Sequence, residues 1–367
     1  MKYTPSVNIE YGIDKDFKYI VTPNAQQVIG NIISSFRAGM HTFSLIGTYG
    51  TGKSSFLMAL ECDLNEGTTE LVSDKSVFGK FDGFECLNIL GDYNSLSNLL
   101  ADKLNCGYSL DTKNIFNALS NRYQNCKKQN KLLLIVIDEF GKVLEHASKN
   151  SPEKELYFLQ RLAEFVNTST RQIILLTTLH QNFGAYATGL SETQRNEWTK
   201  VKGRFKEIVF SEPVEQLLYL ASEQLSGRFR LSDNKKAVQK RILSAAIASN
   251  FVNKSLTEDV IDKLSPLDTL SAMCITKAIQ KYGQNERTLF SFLTAEGSNS
   301  INDFIETDNC TYNLSIAYDY LIYNFFSALS EINSDTAAWT SMRVAIERVG
   351  GGELKDEYIE DAIKIVK

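Results

Sequence analysis

Gly47-Thr48-Tyr49-Gly50-Thr51-Gly52-Lys53-Ser54 decides the fold. The stretch fits GxxxxGK[ST], follows the short aliphatic run Thr42–Ile46 and opens a segment of helical character. Glycine lets the backbone curl so that successive N–H groups turn inward toward phosphate oxygens, and a helix starting at the end of the loop adds its positive pole at the same place. In such a loop Lys53 reaches the outer phosphates and the Ser54 hydroxyl ligates magnesium, with Ser55 as the last residue of the cradle. A glycine turn that matches by accident would not carry both flanks.

A second stretch answers the first. Lys131-Leu132-Leu133-Leu134-Ile135-Val136-Ile137-Asp138-Glu139 is an apolar strand ending in two adjacent acids. A carboxylate at the carboxyl end of such a strand comes to lie beside the phosphate loop, where Asp138 can hold magnesium through its water shell. Glu139 would then orient or deprotonate an attacking water. Two solvated acids after a core strand are the plain alternative, disfavoured because the loop upstream demands a partner of this type. Guanine readers of NKxD type are absent, since Asn253-Lys254 continues as Ser255-Leu256, so a GTPase is not expected. A small-molecule kinase has no need of a water-activating Glu at that strand end.

Three further β-rich runs, Phe84–Leu90, Gln172–Thr178 and Glu207–Phe210, join Thr42–Ile46 and Leu132–Ile137, each separated from the next by helix-length spacers. This alternation predicts an α/β fold, a five-stranded parallel sheet sandwiched by helices. Thr22-Pro23 marks a helix start ahead of Val28, Ile29, Ile32, Ile33 and Phe36, ended by Gly39. Ser151-Pro152 repeats the device, and Ser191 with Gln194 reads as a capping box for a helix running toward Lys202. Thr68–Lys80, a largely polar stretch between the loop helix and the next strand, reads as a surface insertion. After Pro213 only helical periodicity remains, over Lys235–Asn250, Thr257–Leu264, Leu267–Tyr282 and Asn285–Leu293. Expected boundaries are 1–211 for the nucleotide-binding core, 212–298 for a helical region and 299–367 for a helical C-terminal segment. Tyr318, Tyr320, Leu321, Ile322, Tyr323, Phe325 and Phe326 make one of its helices apolar on more than one side, a core helix or a partner surface.

The 367 residues are enough for two or three domains with a core that needs no disulfide or metal staple. Lys plus Arg number 39 against 44 Asp plus Glu, a net charge of −5 that excludes a dedicated nucleic-acid coat. The acidity is uneven: residues 1–300 hold 34 basic and 32 acidic side chains, and residues 301–367 hold 5 and 12, so the core is nearly neutral and a local basic groove stays open. Cys126-Lys127-Lys128-Gln129-Asn130-Lys131, a short basic run before a core strand, is read as a solvated face, with nucleic-acid contact as the lesser alternative. Cysteines at 62, 86, 106, 126, 274 and 310 have no zinc-ligand spacing, and His41 and His146 have no ligand set, so no metal besides magnesium is expected. No run of eighteen apolar residues occurs and Met1–Glu10 lacks a signal-peptide layout, which points to a cytoplasmic protein with no membrane partner.

With these motifs in hand, the chain resembles the ASCE branch of P-loop ATPases, within it the AAA+ and STAND proteins. The resemblance implies ATP and Mg2+ as cofactors, and makes residues 212–298 a lid over the core. It also implies a strand between the loop strand and the acidic strand that ends in a sensor residue. Ile173-Ile174-Leu175-Leu176-Thr177-Thr178-Leu179-His180 fits that place, with His180 where the family has Asn and Thr178 as its substitute; a histidine merely satisfied at a strand end is the other reading. Val201-Lys202-Gly203-Arg204-Phe205-Lys206-Glu207-Ile208-Val209-Phe210 looks like the family's RPGRFDRxIxF, which makes Arg204 a finger reaching a neighbouring subunit's site; an exposed Arg capping a helix end is the other reading. The motif's first arginine is replaced by Val201. Arg287, in Gln284–Leu293, stands where AAA+ lids carry a second sensor; an Arg in a surface ion pair beside the Leu289, Phe290, Phe292 and Leu293 core face is the other reading. Asp138–Lys142, Leu179–Phe183, Glu197-Trp198 and Gln284–Leu293 together look like large ATPase subunits of bacterial anti-phage systems, the BREX ATPase among them. That likeness implies a nucleotide-dependent homo-oligomer with protein partners of a defence system, nucleic acid staying open as a partner, and either a motor driven by hydrolysis or a slow switch whose output is partner binding. Chains of that group run longer, so this one reads as a piece or a reduced relative, any effector region lying in the remainder.

Overall fold

The computed structural model describes residues 9, 17, 19–67, 69–72, 74–106, 111–168, 172–210, 214–226, 231–254, 256–282, 286–294, 299–302, 304, 311–330, 336–352 and 355–367. The chain divides into two compact units, Ser6–Ser211 and Glu212–Lys367 with the first five residues.

In the first unit the strands are β1 (Thr42–Ile46), β2 (Gly83–Leu90), β3 (Lys131–Asp138), β4 (Ile173–Leu179) and β5 (Lys206–Val209). All pair in parallel, in the order β2-β3-β4-β1-β5. The chain has the fold of a P-loop nucleoside triphosphatase, with helices on both faces of the sheet. Successive side chains of a strand point to opposite faces, and β3 uses this fully. Leu133, Ile135 and Ile137 enter the core on one face, while Leu132, Leu134 and Val136 enter that on the other. Burial on both sides is why these strands read as unbroken apolar runs.

On one face lie α1 (Pro23–Arg37) and α2 (Lys53–Asn65), with Val28, Ile29, Ile32, Phe56, Leu57 and Leu60 in the core. Each such aliphatic or aromatic side chain contributes about 1.5–3 kcal/mol by leaving water. Thr22 caps α1, its hydroxyl accepting from Ala25 N at 3.0 Å, with Pro23 in the first turn. The other face carries α3 (Leu96–Lys103), α4 (Thr112–Lys128), α5 (Phe140–Lys149), α6 (Pro152–Val166) and α7 (Glu192–Lys202). The Ser191/Gln194 capping box is present at the start of α7. Ser151 makes no side-chain cap for α6; its backbone is left-handed, φ +51°, so Pro152 alone marks that start.

The polar stretch after α2 differs from its reading as a surface insertion. Thr69, Leu71, Val72 and Phe78 are buried. The reason is Asp63, whose buried carboxylate accepts the backbone N–H groups of Thr69, Glu70 and Val72 at 2.5–3.2 Å and folds the segment onto the core. Thr68 and Ser73 lie outside the described residues.

The second unit is helical: α8 (Val214–Leu225), α9 (Asp233–Ala248), α10 (Glu258–Lys263), α11 (Thr269–Tyr282), α12 (Glu286–Thr294), α13 (Leu314–Ser330), α14 (Thr336–Gly350) and α15 (Asp356–Val366). It does not part at residue 298. Tyr312 exchanges backbone hydrogen bonds with Pro266 and Asp268, its hydroxyl donates to Asn299 O at 2.5 Å, and α13 packs along α11. Residues 212–367 therefore form one compact unit rather than a region and a separate tail. In α13, Tyr318, Tyr320, Leu321 and Phe325 are buried while Tyr323 faces outward. The Phe326 side chain, Pro213 and Cys310 lie outside the described residues. No helix among them is long and apolar enough to cross a membrane.

Candidate nucleotide site

Strand order brings the two sequence motifs together. The loop 47–52 leaves the carboxyl end of β1, Asp138 closes β3, and β4 lies between these strands and pairs with both. Gly47 N donates to Leu179 O at 3.0 Å, tying the first loop residue to the end of β4. Gly47 has to be glycine, because a Cβ there would stand 2.0 Å from Phe210 O and 2.9 Å from Thr51 Oγ1. Gly50 and Gly52 have φ of +70° and +80°, the left-handed backbone that glycine adopts without penalty. Gly52 is the N-cap of α2, which leaves the first N–H groups of that helix directed at the loop. Lys53 Nζ donates to Gly47 O at 2.6 Å and Thr48 O at 2.8 Å, and the Thr51 hydroxyl donates to Thr48 O at 3.0 Å. Ser54 and Ser55 follow in the first turn of α2, half-buried.

At the acidic end of β3, Asp138 is buried, 3% exposed. Its Oδ1 accepts the Thr178 hydroxyl at 2.6 Å and the Glu139 N–H at 3.0 Å. The same Glu139 N–H is shared with Thr178 Oγ1 at 2.9 Å. These bonds fix Glu139 in the left-handed region, φ +53°, as the N-cap of α5. A non-glycine residue there costs about 1–3 kcal/mol, strain that concentrates at functional sites. Gly91 permits the arrangement from the β2 side, since a Cβ on it would lie 2.5 Å from Glu139 O. The Glu139 carboxylate forms an ion pair with Lys142, one helical turn on, and this pairing raises the Lys142 pKa above its ordinary value.

The sequence-derived sensor residues separate into two roles. Thr178 donates its hydroxyl to Asp138 and so supports the acidic pair. His180 follows β4 directly. Its ring stacks on Tyr49 of the loop, and burial first, then the Lys53 ammonium, push its pKa down to about 4, so the imidazole is neutral near pH 7. Beneath it the buried Tyr186 phenol oxygen accepts the backbone N–H groups of His180 and Gln181. Gly141 is required by that phenol, whose oxygen would lie 2.3 Å from a Cβ. Phe140 of α5 packs on Phe183 and Phe205, and Trp198 Nε1 donates to Phe183 O at 2.9 Å, so α5, the 183–187 turn and α7 are joined by one aromatic cluster.

Arg204 lies elsewhere. Its carbonyl accepts the Thr42 hydroxyl and the Asn167 amide, and its guanidinium pairs with Glu164 of α6. Thr42 begins β1, so this is the end of the sheet opposite the phosphate loop, about 16 Å away at 3.3 Å per strand residue. Arg287 is in α12, but its side chain lies outside the described residues. Among the described residues no group of three His, Cys, Asp or Glu side chains is placed to hold a metal ion. What fits magnesium is narrower: Asp138 is a buried carboxylate with no Lys, Arg or His paired to it among the described residues, a donor set suited to a hard cation.

Lys142, Tyr186, Gly91 and the Tyr49–His180 stack had no counterpart in the sequence reading. Lys142, three residues from Glu139, is the one whose spacing could have revealed it.

No protein-family model matches the chain, and no curated protein sequence does. Among solved structures it is similar to the ORC2 protein of Aeropyrum pernix, solved in ADPNP-ADP complexes (11% identity, 96% of this chain and 82% of that one, TM-score 0.41). It is similar likewise to Cdc6p of Pyrobaculum aerophilum (15% identity, 96% and 82%, TM-score 0.46) and to the Drosophila ORC bound to DNA (10% identity, 100% and 82%, TM-score 0.45).

Proposed function

We propose that the chain is a magnesium-dependent ATPase of AAA+-like type, converting ATP to ADP and phosphate at the 47–55 loop. One observation carries the reading: the uncompensated buried Asp138 and the strained Glu139 stand at the end of β3, one strand removed from the phosphate loop. Loop N–H groups and the N-terminus of α2 bind the phosphates, and Lys53 exchanges the carbonyls of Gly47 and Thr48 for phosphate oxygens. Asp138, oriented by Thr178, and Ser54 would hold the magnesium ion. Magnesium bound there supplies charge neutralisation on the outer phosphates. Glu139 takes the proton of the attacking water once its carboxylate leaves Lys142.

The Glu139–Lys142 pair also favours a second reading, a nucleotide switch with slow turnover whose output is partner binding. In either case the conformational change or assembly would serve a self-associating complex, of bacterial defence type by the sequence resemblance alone, with DNA as a candidate substrate. Arg204 acting between copies would favour a ring, and Arg287 acting alone within one chain would favour the switch.

Glu139→Gln tests the site: ATP binding should persist while phosphate release falls by about 10²-fold or more. Unchanged turnover would remove Glu139 from the chemistry. Sizing the same variant with ATP, with and without duplex DNA, separates the outputs. Growth with ATP alone supports self-assembly, and growth only with DNA supports a nucleic-acid motor.

A further inference from the structure

The phosphate loop carries one large exposed side chain, Tyr49, 61% open to solvent, at a position where the loop pattern requires nothing. The ring does not trail into water. It lies on the His180 imidazole with centroids 3.5 Å apart and planes 22° from parallel, and its phenol is close enough to Lys142 and Tyr186 to act on both electrostatically. One aromatic ring thus spans the phosphate loop, the end of β4 and α5. His180 is held on its backbone side by the Tyr186 phenol. Its Nδ1 is buried with no hydrogen-bond partner, an exception among buried polar atoms that calls for a ligand or a function. The charged groups around the ring are Lys53 from α2, Asp138 and Glu139 from the end of β3, and Lys142 from α5, with the Tyr49 and Tyr186 phenols beside them. The unpartnered nitrogen therefore sits among the groups assigned to the terminal phosphate and its attacking water.

Resting on the reading of this site as an ATPase, we propose that Tyr49 is the positioning residue for His180, its stacked ring fixing the imidazole plane so that Nδ1 meets an oxygen of the terminal phosphate or of the attacking water. A free imidazole could turn about its side-chain bonds; one clamped between a stacked ring and a fixed backbone presents its nitrogen in one direction. Tyr49 itself touches no reacting atom, and its contribution passes through His180.

The test uses the full chain with ATP, comparing Tyr49→Ala, Tyr49→Phe, His180→Ala and the double variant Tyr49→Ala/His180→Ala. Tyr49→Ala should lower kcat about tenfold, the rate equivalent of one aromatic pair, with KM within about twofold. Tyr49→Phe, which keeps the ring, should restore most of the loss. In the His180→Ala background Tyr49→Ala should have no further effect. A full second loss there, or an unchanged kcat in Tyr49→Ala, overturns the proposal. A readout independent of turnover is available because the chain has three histidines. Ring protons of His180 should be shifted upfield in NMR spectra, relax toward ordinary positions in Tyr49→Ala, and move when a non-hydrolysable ATP analogue is added. Absence of the upfield shift overturns the stack, and signals indifferent to the analogue overturn the assignment to phosphate. Loss of turnover in every protein, wild type included, with the NMR responses intact, would instead remove the hydrolytic reading and leave the positioning role.

Discussion

The Thr178 hydroxyl donates to Asp138 Oδ1 at 2.6 Å while its oxygen accepts the Glu139 N–H at 2.9 Å, so one buried side chain on β4 sets the orientation of both acids at the end of β3. Thr178→Val keeps the shape and removes both bonds. Hydrogen bonds to charged groups contribute about 1.5–3 kcal/mol, so the variant should lose stability of that order in denaturant melts. It should also need about 10–100-fold more magnesium for half-maximal turnover, as removal of a ligand's orienting partner commonly does. A magnesium titration that superposes on wild type would remove Thr178 from the site.

Lys142 holds the carboxylate that the proposed chemistry must free. Both side chains are partly exposed, and such pairs contribute at most about 1 kcal/mol. Lys142→Ala should therefore raise phosphate release modestly, up to about fivefold, and the gain should vanish in the Glu139→Gln background. A fall in turnover would instead give Lys142 a productive role.

His180 makes a prediction about pH. Its folded pKa of about 4 lies below the unfolded value of 6.5, so between these the unfolded chain binds a proton that the folded chain does not. By linkage, stability is fully present above pH 6.5 and declines as pH falls toward 4. With the ring's partial exposure discounted, the loss at pH 5 is about 1 kcal/mol. Comparing melts of wild type and His180→Asn at pH 7 and pH 5 isolates this part from the carboxylates, which titrate in both. Equal pH dependence in the two proteins would show that the ring is not buried as neutral imidazole.

Gly91→Ala places a methyl group 2.5 Å from Glu139 O and 2.9 Å from Asp138 O, both backbone atoms. Overpacking of this kind costs about 1–3 kcal/mol. Because Gly91 lies outside the phosphate loop, ATP binding by the variant should survive better than hydrolysis, seen as a drop in kcat that exceeds the change in ATP affinity.

Much of this architecture is legible before any coordinates. Strand ends read from apolar runs agree with the structure to within a residue, because parallel strands buried on both faces leave no alternation to misread; Thr42–Ile46 agrees at both ends. Thr22 and the Ser191/Gln194 box are local devices, complete within a few residues, and so visible in sequence. What escapes depends mostly on partners far along the chain. Nothing near Thr178 announces Asp138, forty residues earlier. The Tyr49–His180 stack joins residues 131 positions apart and has no periodicity to betray it. Nor does local periodicity near residue 298 announce that Tyr312 pairs back across the sequence to Pro266 and Asp268.

The position of Arg204 bears on how activity should scale. Its carbonyl is bound to Thr42 at one end of β1 while the phosphates would lie beyond the other, so its own guanidinium is out of reach. On the proposed reading of Arg204 as a residue that acts between copies, its contribution to turnover comes from encounters between chains. Specific activity should then fall on dilution and recover on concentration, and Arg204→Ala should flatten that curve while leaving the dilute limit where it was.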